Sequence, residues 1–204
     1  MSIAKSHPPV KTTVGAQYIC FDKPDTNGEF TTEYDTDVLK IPNVTTLDVS
    51  DKGANDVDYA SGFPYDTDND VKSIEIKQTQ IARDPMLIAK MKGYSVNGGI
   101  VIGKSVTVRP FFAYGIPIIR KGGVYTFRWY PKCKLTDSTD KTETSEESHK
   151  SMTDDDTILA MPFNDAGDLF VEVNTDSEDT AGITEDKFFA KPILTAADAQ
   201  ALKA

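Results

Sequence analysis

VTVRPFFAYGIPIIRKGGVYTFRWYPKCKL, residues 106–135, decides the fold. It reads as two strands folded back on a glycine turn. Lys121-Gly122-Gly123 supplies the positive φ values that a tight hairpin needs. The first limb, residues 111–119, is apolar on both faces and rich in aromatic and branched residues. In the second limb Val124, Thr126, Arg128, Tyr130 and Lys132 share one face. Tyr125, Phe127, Trp129, Cys133 and Leu135 share the other, because side chains alternate along a strand. The single Trp and one of the two Cys lie here, so the core is expected here. Pro110, Pro117 and Pro131 cannot donate ladder hydrogen bonds, so each marks an edge, a strand end or a bulge.

Working outward, the 204 residues suffice for one domain with a real core, taken as 1–204. The net charge of -10 argues against a phosphate-binding surface, because affinity for nucleic acid comes mainly from Lys and Arg. Cys20 and Cys133 are too few for a disulfide framework or a four-cysteine zinc site; two buried thiols in a reducing compartment are expected. The first 14 residues hold no apolar run, so no signal peptide is expected. No stretch approaches the ~20 apolar residues of a membrane span.

Upstream of the hairpin, residues 1–14 read as a flexible arm. Residues 16–22 read as a strand, 24–28 as a turn and 29–34 as a return strand. Residues 44–49 alternate again. Residues 51–70 read as a long polar loop carrying Tyr59, Phe63 and Tyr65, packed on its own domain or on a neighbour. Residues 71–80 form a strand, and 84–92 the one clear helix. Asp84 is its N-cap, Pro85 occupies the first helical position and Gly93 lies past its end. Met86, Leu87 and Met91 can share its packed face.

Downstream, residues 136–156 are polar, either disordered or a solvated edge strand. Residues 157–163 and 168–173 read as strands. An acidic, flexible C-terminal tail, 176–204, ends in a short helix capped by Thr195. The sum is an all-β fold: a β-sandwich or barrel of about eight strands with one short flanking helix. Exposed edges allow pairing with another chain.

The search for chemistry returns little. Residues 98–105, GGIVIGKS, fit the phosphate-loop pattern literally. That pattern needs a strand before it and a helix after it; here the order is reversed, and Ile100, Val101 and Ile102 are strand formers. Asp66, Asp68 and Asp70 resemble the start of a calcium loop, but Val71 stands in the Gly position and Lys77 in the chelating Glu position. Asn174, Asp176 and Glu178 fail similarly. His7 and His149 have no partner for a triad or a metal site. No catalytic residue, metal or cofactor is expected, and a structural or binding protein is favoured over an enzyme.

Residues 124–148, VYTFRWYPKCKLTDSTDKTETSEES, resemble the major tail (tail tube) protein family of long non-contractile phage tails. The aromatic-Pro-Lys-x-Lys turn Tyr130-Pro131-Lys132-Cys133-Lys134, followed by a Ser/Thr/acid run, carries the likeness. Residues 44–62 are similar to the family's strand and acidic loop, 71–93 to its strand-then-helix unit, and 168–175 to its last strand. The likeness covers residues 40–175. It implies a sandwich or barrel whose copies join into hexameric rings stacked as a tube. Such a tube is built around a tape-measure protein, bounded by tail terminator and baseplate proteins. It conducts double-stranded DNA into the host without binding it specifically. The likeness also implies assembly in the host cytoplasm and residence in the virion tail. By the same likeness Tyr59, Phe63 and Tyr65 contact a neighbour from the loop, and Thr126 and Tyr130 lie where the hairpin edge pairs between subunits. The competing reading is a ligand- or carbohydrate-binding β-sandwich module, such as a virion decoration protein, with exposed aromatics as its platform.

Overall fold

The computed structural model describes residues 8–60, 63–144 and 152–203, and for residues 54–60 and 63–69 it describes the backbone alone. His7 and His149 lie outside the described residues. The strands in chain order are β1 (Lys11–Val14), β2 (Gln17–Phe21), β3 (Leu39–Ile41), β4 (Val44–Ala60), β5 (Phe63–Ile81), β6 (Ser95–Asn97), β7 (Ile100–Ile102), β8 (Phe112–Arg120), β9 (Val124–Thr139), β10 (Thr153–Ala160) and β11 (Val171–Asn174). The helices are α1 (Pro85–Met91), α2 (Glu185–Phe188) and α3 (Ala196–Ala201). The fold is all-β.

Among the described residues, nine strands make one antiparallel sheet in the order β3-β2-β8-β9-β10-β5-β4, with β1 also beside β8 and β11 beside β9. The central pair is the β8–β9 hairpin, turned at Gly122 (φ +90°) and Gly123 (φ +77°). Strand β2 is buried along its whole length because it is covered on both faces. Ile19 and Phe21 point into one core with Phe112, Tyr114, Ile116 and Ile158. Tyr18 and Cys20 point into a second core with Phe127, Trp129, Phe188 and Phe189. Period-two alternation thus sends one strand into two cores.

The sheet rolls up. Gln17 of β2 and Gln78 and Gln80 of β5 exchange side-chain hydrogen bonds at 3.0 and 3.2 Å, although three strands separate them in the sheet. The first core fills this curl, and α1 closes it with Leu87, Ile88 and Met91. Asp84 caps α1, its carboxylate accepting from the Met86 N–H at 2.9 Å, and Gly93 follows at φ +72°. Met86 stays at the surface instead of joining the packed face.

Five expectations are corrected. First, residues 51–60 and 63–70 are not a loop; they belong to β4 and β5, which pair as one long hairpin. Asp, Asn and Gly are poor strand formers, but pairing along a ladder overrides propensity. Second, Cys133 and Leu135 do not share a face with Trp129; they join the first core with Tyr130. Opposite residues 130–133 of β9, β8 spends one residue fewer, so a bulge at Pro131 and Lys132 reverses the phase. Third, residues 29–34 form no return strand. A single bridge joins Asp22 to Tyr34, and Thr32 at φ +65° breaks the extension.

Fourth, the segment 176–204 does not hang as a tail. Its Phe188, Phe189 and Ile193 are buried in the second core. Apolar area outweighs the acidic surface of the segment, since burying one Phe side chain gains about 1.5–3 kcal/mol. Its last helix begins at the expected cap, with Thr195 Oγ1 accepting from the Asp198 N–H at 3.1 Å. Fifth, part of the supposed arm 1–14 is strand β1, paired with β8 from Lys11.

Candidate assembly interface

The β4–β5 hairpin is the feature that leaves the body of the protein. Strand β5 pairs with β10 from Ile74 to Ile81. Beyond Ile74 it pairs, among the described residues, with β4 alone, as far as Ala60↔Phe63. The eleven residues 63–73 therefore project as a two-stranded arm, roughly 35 Å long at a strand's rise of about 3.3 Å per residue. The register slips between Lys52↔Ser73 and Gly53↔Val71, leaving Lys72 as an extra residue where the arm departs. A bulge at that place bends a strand and re-aims it. A Cβ on Gly53 would lie 1.8 Å from the Asp70 carbonyl oxygen, so the close approach there needs glycine.

The arm holds three of the residues singled out from sequence. Tyr59 stands opposite Pro64, and Phe63 opposite Ala60, at the tip; Tyr65 falls at a second register slip. The side chains of Tyr59, Phe63 and Tyr65 lie outside the described residues. Asp66, Asp68 and Asp70 are successive alternate residues of the same strand, so they do not form a chelating loop.

Strand β4 also ends the sheet, and among the described residues its outer side pairs with no strand. At 17 residues it is a long edge. Long edges present unpaired N–H and C=O groups to any strand that arrives.

Thr126 and Tyr130 are elsewhere. Thr126 is fully buried, with Ile118 of β8 on one side and Asn174 of β11 on the other. Its hydroxyl accepts from Arg120 Nε at 2.9 Å. Tyr130 is fully buried, and its hydroxyl accepts from Arg128 Nη1 at 2.8 Å. The hairpin limb expected at an edge is thus in the middle of the sheet, because β11 covers the side that sequence reading left open.

Sequence reasoning missed the polar cluster inside the curl. Arg83 draws in Asp156 at 3.2 Å, Asp140 at 3.3 Å and Asp154 at 3.5 Å, and donates to Ser138 Oγ at 2.7 Å. Asp156 also accepts from Gln80, which joins Asn43 and Gln17. Burial pushes the Asp156 carboxyl up, against the pull of Ser138 and of the Arg83 guanidinium. The signal was the alternation of Asp154 and Asp156, which puts both on one face two residues past a strand end from Arg83. This cluster pins the start of β10 and organises the polar segment 136–144.

Residues 98–105 show no phosphate-loop architecture. Gly98 (φ +55°) and Gly99 (φ +84°) close the β6–β7 hairpin, and no helix follows. Cys20 and Cys133 are both buried thiols, Cys20 pushed up to about 11 by burial. Among the described residues no group of three His, Cys, Asp or Glu is placed to hold a metal ion. No described helix is long and apolar enough to cross a membrane.

No protein-family model and no curated protein matches the chain. Among solved structures, chains of two assemblies are similar to this one. One is the six-fold symmetrised baseplate of the anti-feeding prophage, at 6% identity and a TM-score of 0.43, covering 83% of this chain and 97% of that one. The other is the sheath–tube complex of an extracellular contractile injection system, PVC, in its extended state. It stands at 10% identity and a TM-score of 0.37, covering 76% of this chain and 87% of that one.

Proposed function

We propose that this chain is a self-assembling structural subunit of a phage tail tube, without enzymatic activity. The observation that carries the reading is the β4–β5 hairpin, which combines a projecting arm with an edge strand that, among the described residues, pairs with no further strand. A monomer gains nothing from ordering nine residue pairs outside its core, because each ordered residue costs about 1–2 kcal/mol of backbone entropy. The cost is recovered when a neighbour covers the arm. Pairing along β4 joins subunits sideways into rings, hexameric by the sequence resemblance at residues 124–148, and the arm reaches the next subunit or ring. Tape-measure, terminator and baseplate proteins are the partners of such a tube. The net charge of -10 suits a conduit through which DNA passes without being held.

Electron microscopy of the purified protein, with size-exclusion chromatography, tests the reading. Rings or tubes about 100 Å across, the width of several domains of this size around a duplex, are expected. A protein that stays monomeric at high concentration under all conditions overturns it and favours a monomeric binding module.

A further inference from the structure

A groove of about 540 Å³ opens between α1, β3 and the β6–β7 hairpin, lined by Phe21, Leu39, Leu87, Tyr94, Val96 and Val108. Among the described residues, none that lines it belongs to β4 or β5. The groove therefore stays open whether or not the β4 edge is paired. Val108 is 78% exposed, and the hairpin and the segment after it carry further exposed aliphatic side chains, Ile100, Ile102 and Val106. A cluster of large aliphatic side chains standing in water marks a surface that a partner covers.

The charge of the groove selects the partner. Residues 85–136 contain no Asp or Glu, in a chain with 32 of them. Lys90 holds its ammonium 3.8 Å from the centre of the Phe21 ring at the groove wall, with Asp35 at 3.7 Å. A Cβ on Gly103 would lie 3.5 Å from the Tyr94 ring, so the exposed Lys104 that follows stands at the hairpin side of the groove. Asp84 also lines the groove, but its carboxylate caps α1 by accepting from the Met86 N–H. A cationic rim on a protein of net charge -10 favours an acidic occupant.

That occupant must satisfy its own backbone. An extended segment laid here would find β3, β6 and β7 to pair with, each three residues long. Its remaining N–H and C=O groups would be buried against apolar side chains at a cost. A helix closes its hydrogen bonds internally and presents apolar anchors at i, i+3 or i+4, and i+7. A second copy has no such helix among the described residues. Its α1, α2 and α3 have seven, four and six residues, and the apolar side chains of α1 and α2 are buried in their own cores. We propose that the groove receives an acidic amphipathic helix of another protein. Its apolar face lies on Phe21, Leu39, Val96 and Val108, and its carboxylates meet Lys90 and Lys104. This site is separate from the β4 edge and the arm, and does not depend on the tube reading.

A fluorescein-labelled peptide of about fifteen residues, long enough to sustain a helix, tests this on the full-length protein by fluorescence anisotropy. It carries Leu at the a and d positions of each heptad and Glu at the exposed ones; the same peptide with Lys for Glu is the charge control. The Glu peptide should bind saturably and weaken as salt is raised, and the Lys peptide should bind far less. Val108→Asp should weaken the Glu peptide roughly tenfold with circular dichroism unchanged, and Val96→Asp repeats the test on a second lining residue. Lys104→Glu should flatten the salt dependence. No saturable binding, equal binding of the two peptides, or binding that both Asp variants leave unchanged overturns the proposal. So does loss of self-association in Val108→Asp, which would make the groove an interface between copies. It is overturned too if phosphatidylglycerol vesicles or a duplex oligonucleotide bind more tightly than the Glu peptide and lose that binding in Val108→Asp. Wild-type protein that forms no tube removes the tube reading instead, and the peptide result still decides this site.

Discussion

The indole Nε1 of Trp129 donates to the backbone carbonyl of Phe188 at 3.0 Å. This bond fastens the C-terminal segment to the central strand, and Phe189 stacks on Tyr18 with ring centres 4.1 Å apart beside it. Phe188 is fully buried. Phe188→Ala should therefore cost about 3–5 kcal/mol, the range for deleting a buried aromatic. Urea unfolding followed by the fluorescence of the single Trp measures it directly. A loss under about 1 kcal/mol, the range of surface changes, would mean that the segment is not part of the core.

Gly115 faces the same core for lack of a Cβ. One added there would lie 2.8 Å from Cε1 of Phe189 and 2.9 Å from Cε3 of Trp129. Gly115→Ala should destabilise by about 1–3 kcal/mol through overpacking. Adding Phe189→Ala makes room, so the double variant should lose less than the sum of the two singles. Additive losses in denaturation would show that the clash is relieved elsewhere.

The elements legible in the sequence were those whose signal is local. The β8–β9 turn declared itself by two glycines, and α1 by Asp84, Pro85 and Gly93. Pro131 announced an irregularity, yet period-two reading carried straight through it and put Cys133 and Leu135 in the wrong core. A bulge shifts phase by one, and only the partner strand shows that it has done so. The arm was missed because its Asp, Asn and Gly residues read as loop, whereas its strand character comes from pairing at long range. The packed end of the chain had a readable signal in Phe188, Phe189 and Ile193, obscured by the acids around them. The free edge was not legible at all. Alternation says which residues share a face but not which strands are neighbours, so Thr126 was placed at an edge that β11 covers.

Asp156 should give stability an unusual dependence on pH. Burial raises its carboxyl above the ordinary value, despite Ser138 and Arg83. In the window between about pH 4, where an unfolded Asp titrates, and the raised value, the folded state holds the extra proton. Stability from this group therefore falls as pH rises through that window. Asp155 acts in the opposite sense, because Lys141 and Thr79 lower it. The difference between wild type and Asp156→Asn isolates the first effect. Urea midpoints should shift in favour of the Asn variant with rising pH, and a difference independent of pH would show that Asp156 titrates normally.

Thr126→Pro now tests the fold and not the ring. The Thr126 backbone lies between Ile118 and Asn174, and its side chain is bonded to Arg120. Proline removes the N–H and leaves a buried ladder partner unsatisfied, a loss of about 1–3 kcal/mol before any clash of the ring is counted. The variant should melt well below wild type and lose its near-ultraviolet dichroism. Lysine in place of Asp56 and Asp58 should instead keep the wild-type melting temperature while losing assembly, because these positions pair within the two-stranded arm, beyond the ladder that β5 makes with β10. A Thr126→Pro protein that melts like wild type and only fails to assemble would place Thr126 at a subunit edge after all, against the ladder that β11 makes with β9.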